Sequence, residues 1–125
     1  MRYIPLSYPW LFRRALGSAR TVLDVGCGKG VFFSEINDDR AYAATGVDIF
    51  DPYLKIARKS GMFEHVTKKD ITKLRYKMNS FDAVMSSQVL EHLPKHKAKA
   101  LIQRMKQWAK KTVVIGVPNS EFEQR

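Results

Sequence analysis

The 125 residues include 22 lysines and arginines against 12 aspartates and glutamates, a formal net charge of +10, and 45% of the chain is hydrophobic. This length and composition predict one globular domain, residues 1–125, and exclude a disordered chain. No apolar run approaches the ~20 residues that a membrane span needs. The single cysteine, Cys27, excludes an intramolecular disulfide and favours a cytoplasmic location.

The strongly basic balance permits an anionic partner such as RNA. The lysines and arginines of residues 95–111 alternate with apolar positions that predict a core-facing helix, and no interleaved aromatic platform accompanies them. A solvated basic surface is therefore favoured over a nucleic-acid interface.

Short β-branched runs alternate with amphipathic segments, which predicts a parallel sheet covered by helices. Residues 8–17 predict a leading helix with Pro9 in its first turn and Gly17 at its end. Strands are then predicted over 21–25, 45–49, 63–70, 81–87 and 112–117, and helices over 29–37, 51–61 and 95–110. The fold class is a doubly wound, Rossmann-like α/β sheet of order 3-2-1-4-5 with helices on both faces.

Ligands of such sheets bind outside the carboxyl ends of the strands. The first strand runs into the turn D-V-G-C-G-K-G, residues 24–30. In a dinucleotide fingerprint the third glycine would fall on Val31, and Asp24 would stand where a diphosphate approaches. The ligand that fits Asp24 and Asp48 has a ribose whose hydroxyls Asp48 can bind, no phosphates, and a positive charge near the turn. S-adenosylmethionine, with its sulfonium and ammonium, has that description, and an NAD-dependent oxidoreductase is disfavoured.

Four stretches in order resemble the motifs of class I S-adenosylmethionine-dependent methyltransferases of the type 11 kind. VLDVGCGKG is similar to the first motif, a hydrophobic run followed by D/E-x-G-x-G-x-G; GVDI, KKDITKL and FDAVMSSQVLEHL resemble the later ones. The resemblance covers about residues 20–118. It implies S-adenosylmethionine as cofactor and S-adenosylhomocysteine as product. The acceptor stays open among quinones, lipids, other small molecules and RNA, with a small molecule favoured over RNA.

The resemblance implies roles for the residues of the glycine-rich turn. The backbone of Gly26 and Gly28 would line the methionine and ribose of the cofactor, and Gly30 would let the following helix pack closely. Asp24 would face the ammonium group, although a carboxylate here is also a common turn former. Cys27 is a small residue of the same cofactor loop, and the sequence identifies no base that would make it a nucleophile.

The resemblance also implies an adenosine-binding set at the next two strand ends. Asp48 would accept hydrogen bonds from both ribose hydroxyls, and Ile49 would pack on the adenine. Asp70 would accept from the adenine amino group, and the amide of Ile71 would reach a ring nitrogen. Asp48 as a helix cap and Asp70 as part of a polar turn are the alternatives.

After the fourth strand, the resemblance places Ser86 and Ser87 beside the methionine tail and the transferred methyl. His92 stands at the mouth of the expected site and is the candidate general base. It would be needed only where the acceptor must lose a proton. Its alternative role is to pack or cap within the turn.

Family members normally continue after the fifth strand with a two-stranded hairpin, whereas this sequence ends at VPNSEFEQR. The resemblance therefore implies a methyltransferase core, or a cofactor-binding module whose acceptor site another chain supplies. The fifth strand, 112–117, has neither charge nor proline and would be an exposed edge. We expect a homodimer through that edge, or a C-terminal tail folded over it.

Overall fold

The computed structural model describes residues 2–4 (backbone only), 8–87 and 89–116. The strands in these ranges are β1 (Arg2–Ile4), β2 (Thr21–Val25), β3 (Ala43–Asp48), β4 (His65–Lys68), β5 (Phe81–Ser87) and β6 (Ala109–Gly116). The α-helices are α1 (Pro9–Leu16), α2 (Val31–Ile36), α3 (Asp51–Ser60) and α4 (Lys95–Trp108). One-turn 3₁₀ helices span Ile71–Lys73 and Leu90–His92.

All six strands form one parallel sheet in the order β1-β6-β5-β2-β3-β4. In terms of the five predicted strands the order is 3-2-1-4-5, which confirms the predicted fold class. Strands β3 and β4 are added on one side of β2, and β5 and β6 on the other. The carboxyl ends of β2, β3 and β5 therefore border one crevice.

Two hydrophobic layers cover the sheet because its central strands alternate between faces. Val22 of β2 packs with Phe12 and Phe33 in the layer under α1 and α2. Leu23 packs on the other face in the layer of Leu101, Met105 and Trp108, all from α4. Burial on both faces holds β2 rigidly and thereby fixes the position of the turn that follows it.

The first strand was not predicted, and it overturns one expectation. β1 pairs in parallel with β6 through the register Arg2–Val114, Tyr3–Ile115 and Ile4–Gly116. The prediction of an exposed edge on the fifth predicted strand is therefore wrong over residues 114–116. The exposed edge consequently no longer supports a homodimer. Three residues are too short to show a strand periodicity in sequence. The C-terminal tail lies outside the described residues.

Other differences concern element boundaries. Helix α2 begins at Val31, because Gly30 adopts a left-handed conformation (φ 83°) and caps it. Strand β6 begins at Ala109, immediately after α4, rather than at residue 112. The weakly predicted third strand is reduced to His65–Lys68. Among the described helices, none has the length and apolarity to cross a membrane.

Candidate functional site

The turn after β2 requires glycine at three alternate positions. Gly26, Gly28 and Gly30 have φ angles of 77°, 56° and 83°, all in the left-handed region that side chains disfavour. The amides of Gly26 and Cys27 both donate to the carbonyl of Val47, at 2.8 and 2.9 Å. The turn is thus fastened to the end of β3.

The three glycines differ in what surrounds them. A Cβ on Gly26 would lie 2.6 Å from Val89 Cγ2, and one on Gly30 would lie 3.0 Å from the Phe63 ring and 3.6 Å from Cα of Ala57 in α3. A Cβ on Gly28 would meet nothing within 4 Å. Packing therefore requires the outer two glycines, while Gly28 borders open space that a ligand can enter.

Asp48, at the end of β3, holds the same turn with its carboxylate. Its Oδ2 accepts from the Gly28 amide at 2.9 Å, and its Oδ1 accepts from the amides of Ile49 and Phe50 at 2.7 and 3.3 Å. The residue is half-buried. These amides use three of the roughly four lone-pair sites of the carboxylate, so the second lone pair of Oδ2 can still accept from a hydroxyl group.

Asp24 is the most unusual group of the site. It is 3% exposed, and its Oδ1 has no hydrogen-bond partner among the described residues. Burial, and then the charge of Asp48, raise the pKa of Asp24 to about 7. Burial, and then Asp24 and Asp48, also raise the pKa of the Cys27 thiol, so it stays protonated and is not a nucleophile.

Asp70 is held near Asp48, because the amide of its neighbour Lys69 donates to the Asp48 carbonyl at 2.9 Å. Its Oδ1 accepts from the amide and hydroxyl of Thr72 at 2.9 and 2.7 Å, and these bonds lower the pKa of Asp70. Asp70 therefore starts the Ile71–Lys73 turn. Ile71 is half-buried against the α4 layer.

The residues at the end of β5 and in the turn that follows it are divided between core and surface. Ser86 is fully buried, and its hydroxyl donates to the Val25 carbonyl at 3.0 Å, so the side chain ties β5 to β2 instead of facing the open crevice. Ser87 is half-buried, and His92 is exposed on its 3₁₀ turn. Beside it, Oε1 of Glu91 is buried and unpartnered among the described residues.

Sequence reasoning missed the residues that pack under and over the turn. Gly46 has no room for a side chain, because its Cβ would lie 2.9 Å from the Cys27 sulfur and 3.0 Å from the Phe63 ring. A glycine within a predicted strand is a signal of such close approach. Val89, which covers Gly26, follows no comparable pattern.

The fold and this turn define the class of the protein as a Rossmann-like methyltransferase domain. A family model described as a methyltransferase domain matches residues 22–112, and the chain belongs to that family.

One relative, the ubiquinone biosynthesis O-methyltransferase of Pseudomonas paraeruginosa, is 35% identical over an alignment of 95 residues, and the match covers 72% of this chain and 40% of that protein. The chain thus spans about two fifths of the length of the curated relatives it matches.

Two solved structures share the fold with more than a quarter of residues identical. An S-adenosylmethionine-dependent methyltransferase from Mesorhizobium loti is 26% identical with a TM-score of 0.64, covering 80% of this chain and 47% of that one. The [4+2]-cyclase SpnF is 27% identical with a TM-score of 0.65, covering 78% and 39%. A cyclase among the neighbours shows that the fold alone does not fix the reaction.

Proposed function

We propose that this chain is the cofactor-binding core of an S-adenosylmethionine-dependent methyltransferase that acts on a small-molecule acceptor. The observation that carries the proposal is the buried carboxylate of Asp24. Its Oδ1, without a partner in the part of the chain that the structure describes, lies beside a turn with open space at Gly28. A cation is the group that such a carboxylate best accommodates. The family supports the proposal.

The residues present fit the cofactor at three points. Asp24 would accept the ammonium. Asp48 would accept one ribose hydroxyl with the free lone pair of Oδ2 and the other in place of the 3.3 Å bond from the Phe50 amide. Ile49 is 57% exposed beside Asp48 and offers an apolar surface for the adenine. Phe50 and Tyr53, half-exposed and in edge-to-face contact at 4.6 Å, extend that surface. The backbone around Asp70 and Ile71 would border the adenine edge.

The cofactor supplies an activated methyl group, and the chain's task is then to orient it. Fixing donor and acceptor in line is worth ~7–11 kcal/mol of barrier reduction. The turn is suited to this task because bonds from Gly26, Cys27 and Gly28 to β3 hold it in place. His92, exposed at the same edge, would take a proton from acceptors that must lose one.

Calorimetric titration with S-adenosylmethionine, S-adenosylhomocysteine and NAD tests the cofactor. We expect both sulfur ligands to bind and NAD not to. Asp48→Ala should weaken binding by ~2–3 kcal/mol, because charge-assisted bonds to the ribose and the bond to Gly28 are both lost. Tight binding of NAD, or unchanged affinity in Asp48→Ala, would contradict the assignment.

Methyl transfer is tested separately with small hydroxylated acceptors and with RNA. The small-molecule class is supported by the relative whose name places it in ubiquinone biosynthesis. Turnover by this chain alone supports an enzyme core. Binding without turnover, restored by a second chain, would identify a cofactor-binding module. A cytoplasmic location and a homodimer remain predictions, to be tested by fractionation and light scattering.

A further inference from the structure

Asp24 is the buried member of a group of three acidic side chains, and the cofactor contacts alone do not explain its burial. In the sheet register it stands opposite Gly46 of β3 and Met85 of β5, neither of which offers a charge or a hydrogen bond from a side chain. The ionisable side chains that act on one another here are Asp24, Asp48 and the Cys27 thiol, all acids. A protonated Asp24 carries no charge, so its side chain can be buried here without a neighbouring cation.

The two aspartates are not equivalent. Asp48 is half-buried, and its carboxylate accepts three amide hydrogen bonds. Asp24 is 3% exposed, and Oδ1 has no partner among the described residues. Of two neighbouring carboxyl groups, the one without donors and water retains the proton.

We infer that cofactor binding at this site expels a proton from Asp24, so that the chain exchanges a buried proton for the cationic end of the ligand. The inference rests on the proposed function. The O–H bond of the Asp24 carboxyl breaks, the electron pair stays on the carboxylate, and the proton passes to the solvent buffer. The arriving ammonium then neutralises the carboxylate that remains.

The direction of the pH dependence follows from the burial of Asp24, which raises its pKa to about 7. Below that pH the chain must lose a proton in order to bind, so affinity should fall by up to about tenfold per pH unit. Above it, Asp24 is already ionised and this dependence disappears. The Cys27 thiol, whose pKa is also raised, adds no proton in this range.

Calorimetry in two buffers of different ionisation enthalpy measures the released proton. At about pH 6 we expect nearly one proton per S-adenosylhomocysteine bound, and at about pH 8.5 almost none. Asp24→Asn should remove the difference between buffers while keeping the shape of the side chain. Asp70→Asn is the matched control, because it changes a carboxylate of the same site yet should retain proton release. Any proton exchanged by the ligand's own amine is the same for all variants, so it cancels when they are compared.

The outcomes separate the inference from the proposed function. Binding with equal heats in both buffers would overturn proton release and leave the cofactor assignment intact. An absence of binding in the wild-type chain would overturn both. If Asp24→Asn binds too weakly to titrate, carboxyl carbon NMR of the wild-type chain decides. Asp24 should titrate near neutral pH without ligand and stay ionised when S-adenosylhomocysteine saturates the site; titration near its ordinary range without ligand would contradict the inference.

Discussion

The turn after β2 and the turn after β5 end at the same edge of the sheet but are stabilised differently. In the first, Gly26, Cys27 and Gly28 donate to a neighbouring strand, β3, through Val47 and Asp48. In the second, the described bonds are local, from the amides of His92 and Leu93 to the carbonyls of residues 89 and 90. Because the turn after β2 is fixed by a neighbouring strand, it is suited to hold a cofactor of constant shape. The turn after β5 is closed by bonds within itself, so its side chains are free to vary with the acceptor.

The largest effect is expected at Gly28, the open position of the first turn. Gly28→Val should reduce cofactor affinity by about 1,000-fold, equivalent to ~4 kcal/mol, because its side chain would occupy the space that the ligand needs. Gly61→Val is a suitable control, since Gly61 also has a left-handed φ (73°) but closes α3 at the opposite edge. Both variants should lose similar stability in urea, and only Gly28→Val should lose binding. Equal affinities would show that the open space is not the cofactor site.

A second prediction concerns the stability cost of Asp24. Its pKa is about 7 in the folded chain and about 4 when unfolded. Between these values the folded state holds a proton that the unfolded state has lost, so stability falls as pH rises, by on the order of 1 kcal/mol per pH unit. Asp24→Asn should remove this slope and be more stable than wild type by roughly 4 kcal/mol near pH 8.

Urea unfolding of both proteins from about pH 4 to 8 measures the difference. The two curves should approach each other towards the acidic end, where Asp24 is protonated in the folded chain and becomes protonated in the unfolded chain as well. A gap that stays constant with pH would mean that the substitution acts through packing and not through the charge.

The contact between Gly26 and Val89 joins the two turns and can be broken from either side. Gly26→Ala should destabilise the fold by about 2 kcal/mol, through a left-handed backbone and a Cβ placed 2.6 Å from Val89 Cγ2. Val89→Ala in the same chain should restore part of that loss. Thermal unfolding of the two single variants and the double variant forms a mutant cycle. Additive losses would show that the turns do not depend on each other.

The sequence identified the first turn better than the second for a physical reason. Left-handed backbone requires glycine, and fastening the turn to β3 requires an acid at Asp48, so the structure restricts residue type at fixed spacing. The second turn makes no such demand. At the end of β5, two adjacent serines could not be separated by pattern, yet Ser86 is a buried link to β2 while Ser87 is half-exposed.

The same reasoning explains what was missed elsewhere. The pairing of β1 with β6 involves three residues, fewer than a strand periodicity needs. The raised pKa of Asp24 depends on its almost complete burial and on a neighbouring carboxylate contributed by another strand. Neither fact can be read from the local sequence around residue 24.

Within the second turn, two adjacent residues should respond in opposite ways. Glu91→Gln should stabilise the chain by about 1 kcal/mol, because a buried carboxylate oxygen without a described partner is replaced by an amide. His92→Ala, at an exposed position, should change stability by less than about 0.5 kcal/mol. Both should leave S-adenosylhomocysteine affinity within about twofold of wild type. A larger loss of affinity in either variant would make the second turn part of the cofactor site.

The smallest effect is expected from the basic residues of α4 and the start of β6. Arg104 donates to the Thr72 carbonyl at 3.1 Å and is partly buried, so it supports the fold. Lys95, Lys99 and Lys106 share one side of the helix, whereas Lys97 lies about 160° away from Lys99 at 100° per residue. The remaining exposed lysines of this region are Lys110 and Lys111.

Charges distributed in this way around a helix do not form the continuous track that a phosphate backbone follows. We therefore expect no retention of RNA in filter binding near physiological salt, and no difference between wild type and Lys99→Glu/Lys106→Glu. RNA binding that persists there, weakens steeply with added salt and disappears in the double variant would overturn this expectation. The α4 surface would then bind the acceptor, and the acceptor would be RNA instead of a small molecule bound near the turn after β5.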